Sequence, residues 1–152
     1  MQNKETINAI NTLITINNDR IDGYELAVRE SEQQDFKELF TENAATSKNC
    51  NLDLAKEVIR LGGTPFEGTK TSGKFFRVWM EMKTALTDND RKAILNSCDY
   101  GEENAREVYT EVLKNEDKSL SPTQTSLMKK QLELLIKDHS KIITMQNSIH
   151  ES

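Results

Sequence analysis

The chain has 152 residues, a formal net charge of -5, and charged side chains at 30% of positions. That length suits one domain, residues 1–152, around one core, and the acidic balance argues against a general nucleic-acid binder. There is no apolar run of about 18 residues to span a membrane, and Met1-Gln2-Asn3-Lys4-Glu5 lacks the basic and apolar pattern of a signal peptide. A cytoplasmic protein is expected. Two prolines and six glycines leave room for long helices, since both prolines fall between periodic segments. Cys50 and Cys98 lie on apolar stripes, so they read as small buried thiols in a reducing compartment rather than as a disulfide or a metal pair.

The first long helix is predicted over about Asn3 to Glu30, with the seam Ile7, Ile10, Ile14, Asn17, Ile21, Tyr24, Val28. Gly23 weakens it slightly and would let a neighbour approach closely. After the polar turn at Ser31, a second long helix runs from about Gln33 to Leu61. Its seam is Phe36, Phe40, Asn43, Ser47, Cys50, Leu54, Leu61, with Val58 beside it, and Gly62-Gly63 then Pro65 stop it. So short a turn makes the two antiparallel neighbours. A Gly/Thr/Pro loop leads to a short helix, about Ser72 to Leu86, with Phe75, Trp79, Met82 and Leu86 on one face and Phe76 and Met80 alongside. Its opposite face carries Lys74, Arg77 and Glu81. This aromatic and basic segment could dock on a partner or membrane surface, but helical spacing of its stripe points to packing across the bundle.

The third long helix, about Asp90 to Lys114, has the seam Ile94, Cys98, Gly101, Ala105, Val108, Val112, flanked by Leu95, Glu102 and Tyr109. Ser121-Pro122 opens the fourth, which runs to about Ile149 on the seam Met128, Gln131, Leu135, Asp138, Ile142, Met145, Ile149. The connection between the second and third long helices is long enough to travel the length of a bundle. The expected fold is therefore all-α: a ferritin-like four-helix bundle with a short extra helix in a single crossover. A simple up-down bundle with a side helix is the alternative.

Helix midpoints place polar seam residues at one height. Asn17, Asn43, Ser47, Glu102, Gln131 and Asp138 form a polar layer in mid-bundle. Such a layer reads either as a metal site or as a hydrogen-bonded network that fixes register. Di-iron bundles use one Glu on each of two helices and Glu-x-x-His on the other two. No Glu-x-x-His occurs in this chain: Ile136 precedes His139 by three and Asn147 precedes His150. The residues therefore fit the network better, with Glu102 accepting hydrogen bonds from Asn17. Glu102, Asp138 and His139 remain the metal candidates, and a divalent metal the alternative to no cofactor. Of the nearby acids, Asp99 and Glu103 read as solvated. No Ser-His-Asp set, phosphate-binding loop or GxGxxG supports a hydrolase or nucleotide-binding reading, and no catalytic residue is assigned.

The stretch Leu13 to Tyr24, Leu61-Gly62-Gly63-Thr64-Pro65, Trp79 to Lys83 with Ala85-Leu86, Gly101-Glu102 with Tyr109, and Gln131 with His139 carry a resemblance. Over nearly its full length the chain resembles a bacterial family of ferritin-like four-helix-bundle proteins known only as a domain of unknown function. The resemblance implies a ferritin-like fold and no defined activity. Iron-handling ferritins place a ligand Glu seven residues before a core Tyr on the first helix; seven before Tyr24 stands Asn17. Two functions follow as expectations. One is a non-enzymatic binding or stress-related bundle that self-associates or takes a protein partner, with Gly23, Gly101 and Ala105 leaving helix faces for a symmetric dimer. The other is a degenerate ferritin-like protein with a weak metal or oxidant-related site.

Overall fold

The computed structural model describes residues 2–68, 74–116 and 118–151, with side chains for all of these except 2, 74–76, 150 and 151. The predicted faces of Lys74, Phe75 and Phe76, and the loop at 69–73, lie outside that description. Five helices follow in order: α1 (Gln2–Glu30), α2 (Gln34–Arg60), α3 (Lys74–Thr87), α4 (Arg91–Asn115) and α5 (Pro122–Glu151).

The helix ends follow from local chemistry. At the end of α2, Gly62 takes a φ of 86°, a left-handed conformation that glycine adopts without steric penalty. The amides of Gly62 and Gly63 then turn back to the carbonyls of Ile59 and Val58 at 3.0 and 2.9 Å. Asn89 does the same for α3 at a φ of 52°. Its neighbour Asp90 then caps α4 by accepting the Ala93 amide at 3.2 Å. Ser121 and Gln124 close a reciprocal capping box at the start of α5, at 2.8 and 3.1 Å.

Cross-helix bonds fix the directions. Asn51 pairs with Asn18, and Lys48 with Glu25, so α1 and α2 are antiparallel. Asn17 meets Tyr109, whereas Arg20 meets Glu102, so α4 is antiparallel to α1 and parallel to α2. Gln124 meets Glu57 and Lys141 meets Glu42, so α5 runs against α2. The four long helices are thus up, down, down, up, with one crossover. The crossover returns along α1. Asn11 holds Thr64 and Phe66 by their backbone, at 3.2 and 2.9 Å, and Asn18 holds the Gly68 carbonyl at 2.9 Å. From Ile7, which packs at Gly63, to Asn18 this path covers about 17 Å of α1.

α3 completes the return in the groove between α1 and α4. A Cβ on Gly23 would lie 1.8 Å from the Trp79 indole, and one on Gly101 would lie 3.3 Å from Val78. Ala105 is fully buried in the core. The small-residue positions expected to leave a face for a dimer are therefore occupied by α3 and by the core. Met80, expected beside the aromatic stripe, is half-exposed, at 53%; Val78 and Met82 supply the buried face with the partly buried Trp79.

Two apolar clusters fill the bundle. One gathers Ile10, Leu13, Leu54, Val58, Ala105, Met128 and Leu135. The other gathers Tyr24, Phe36, Phe40, Met82, Ile94, Leu95 and Ile142. The polar side chains described next lie at the level where these clusters meet.

Candidate functional site

The centre of the bundle is organised by a residue absent from the apolar seams, Arg20. It is 1% exposed, and its neighbours supply what a buried cation needs. Its Nη2 donates to Glu102 Oε1 at 2.7 Å and to Asp138 Oδ2 at 3.3 Å, and its Nη1 donates to Ser47 Oγ at 2.5 Å. The Tyr24 hydroxyl also donates to Glu102 Oε1, and its ring lies under the Arg20 guanidinium. Burial alone would pull the Arg20 pKa down. The attraction of Glu102, Tyr24 and Asp138 outweighs it and holds the guanidinium charged.

A second branch runs through Asn17. Ser47 Oγ donates to Asn17 Oδ1 at 2.7 Å. The Asn17 amide donates to the Leu13 carbonyl at 2.9 Å and to the Tyr109 oxygen at 2.8 Å. The Tyr109 hydroxyl donates on to Gln131 Oε1 at 2.8 Å, and Gln131 donates to the Cys50 carbonyl at 3.2 Å. Asn17 and Glu102 therefore do not touch: the expected direct bond is replaced by a path through Ser47 and Arg20. Asn43 is fully buried, and neither atom of its amide has a hydrogen-bond partner among the described residues.

Burial shifts the acidic groups around Arg20 upward. It raises the Asp138 carboxyl above its ordinary value, against the pull of Arg20, and it raises both tyrosines and Cys98. Cys50 is pushed up to about 11 by burial. Both cysteines are free and buried, and neither has the lowered pKa that makes a thiol reactive.

His139 faces another way. Its Nε2 lies 2.6 Å from Asp99 Oδ1 and its Nδ1 lies 3.0 Å from Arg106 Nη1. Arginine can only donate, so Nδ1 accepts and Nε2 carries the proton given to Asp99. This cluster borders a groove of about 650 Å³ between α4 and α5, with Glu103 and Ile143 on its rim. Glu102 and Asp138 converge on one point and His139 does not join them. That point is filled by a guanidinium, which repels a metal cation. Among the described residues no three His, Cys, Asp or Glu side chains gather as a metal site requires.

Among the described residues no helix is long and apolar enough to cross a membrane. Neither a curated protein nor a solved structure matches the chain. Residues 5–115 of the 152 match a family described as a domain of unknown function, DUF2383. The match spans α1 to α4 and so takes in Asn17, Arg20, Asn43, Ser47, Glu102 and Tyr109, while Gln131, Asp138 and His139 lie beyond it on α5. The chain belongs to the DUF2383 family.

Proposed function

We propose that the protein is a ferritin-like bundle whose centre is closed by an internal ion cluster in place of a metal, and that it acts without catalysis by binding from its surface. The observation that carries this reading is the Arg20 guanidinium seated between Glu102 and Asp138. The up-down-down-up order with one crossover is the support for the ferritin-like part. An ion cluster whose Arg20 and Glu102 are each 1% exposed leaves the outer faces to meet partners. Leu52 and Ile59, seven residues apart on α2 and 61% and 63% exposed, are the apolar positions there that a protein partner or second copy would cover.

Equilibrium dialysis against ferrous, manganous and zinc ions, followed by elemental analysis, tests the central part. The reading expects no stoichiometric uptake and no catalysed oxidation of ferrous ion. Tight binding of a metal that is lost in both Glu102→Gln and Asp138→Asn would overturn it.

A further inference from the structure

Four polar atoms at the bundle centre lack a hydrogen-bond partner among the described residues: Arg20 Nε, Glu102 Oε2, and both Nδ2 and Oδ1 of Asn43. The three side chains are 0–1% exposed, so bulk solvent does not satisfy these atoms. Buried polar groups left unpaired are rare, because each has given up its bonds to water. Register brings them to one cross-section. Arg20 Nε and Glu102 Oε2 belong to the two halves of a single ion pair. On α2, Asn43 lies one turn from Ser47, which binds the same guanidinium, and between Glu42, paired with Lys141, and Thr46, which lies against Asp138.

We propose that this cross-section is an internal hydration site, holding at least one ordered water between Arg20, Asn43 and Glu102. The inference rests on the centre being an ion cluster rather than a metal site. Its chemistry selects the ligand. Arg20 Nε and Asn43 Nδ2 must donate, so they need an acceptor. Glu102 Oε2 and Asn43 Oδ1 must accept, so they need a donor. Water donates two hydrogen bonds and accepts two, matching all four requirements. A cation would meet only the two oxygens and would face the guanidinium. An anion would meet only the two nitrogens and would face the Glu102 carboxylate.

A high-resolution crystal structure of the full chain, with water-selective NMR cross-relaxation on nitrogen-15-labelled protein, tests the proposal. The expected result is water density within hydrogen-bond distance of Asn43 and of Arg20 Nε or Glu102 Oε2, with a water cross peak at the Asn43 side-chain amide. A dry centre in which the four atoms pair with one another would overturn the hydration site and leave the ion cluster standing. Metal density on Glu102 and Asp138, with Arg20 turned away, would overturn both. In Asn43→Leu the Arg20 Nε–water cross peak is expected to weaken or disappear. Its persistence at wild-type strength would overturn the part given to Asn43; should that variant not fold, the wild-type density and cross peak decide alone.

Discussion

Arg20 and Arg106 both lie in clusters that hold carboxylates, and they differ in their access to water. Arg20 is sealed at the centre with Glu102, Asp138 and Ser47. Arg106 sits at the edge of the α4–α5 groove and reaches Asp99 only through the His139 ring, and the Asp99 side chain is 37% exposed. At the rim, solvent can take the place of any partner that is removed. At the centre it cannot, so each charge depends on the others being present. What such a contact contributes is set less by the number of ion pairs than by what is left behind when one member goes.

The largest effect is expected from Arg20→Met, which keeps most of the volume and leaves two buried carboxylates without their cation. Chemical denaturation should show a loss of about 3–5 kcal/mol. A loss below about 1 kcal/mol would erase the distinction between the two arginines. Asn17→Leu comes next. It strands the Ser47 hydroxyl that donates to Asn17 and removes a donor to Tyr109. About 1–3 kcal/mol should be lost for a stranded group, and Asn17→Leu combined with Ser47→Ala should lose less than the two single losses added together.

Asp138→Asn sharpens the comparison through pH. Burial raises the folded pKa of Asp138 above its unfolded value, so folding favours its protonated form. Its contribution to stability is therefore fully present at low pH and is lost as the pH rises through the folded pKa. The amide of the variant does not titrate and carries no such dependence. Relative to wild type, the variant should be most favourable near neutral pH and should lose that standing on acidification, in thermal melts across that range. A pH-independent difference would contradict the raised pKa. The smallest effect belongs to the rim: Asp99→Asn should change stability by no more than about 1 kcal/mol, with added salt shrinking the difference further.

The fold was legible because apolar spacing carries it. Apart from Ile21, which is half-buried and joins neither apolar cluster, the seams of the long helices and the stop at Gly62-Gly63 correspond to observed packing and to an observed left-handed cap. Asn17, Asn43, Ser47, Glu102, Gln131 and Asp138 are buried side chains of four different helices. Arg20 was missed because it adjoins the seam position Ile21, and a long basic side chain next to a seam ordinarily runs outward to water. A signal was present nonetheless: two inward acids, Glu102 and Asp138, had no cation on any seam, and Arg20 follows the inward Asn17 by three residues. The Asn11, Asn18 and Asn51 ladder that holds the crossover had no such signal, since amides on an outer helix face have the same pattern as a solvated surface. Gly23 hinted at a close neighbour, but only the return path of the crossover identifies it as Trp79 rather than a second chain.

The central claim is that the Arg20 and Glu102 charges stabilise the folded bundle only as a pair. The most direct measurement is a double-variant cycle by chemical denaturation of wild type, Arg20→Met, Glu102→Leu and the combination, run in the presence of a chelator. The account predicts that each single change is strongly destabilising, whereas the combination loses much less than their sum, with a coupling of about 2 kcal/mol or more. Additive losses would contradict it, because they would mean that neither charge depends on the other.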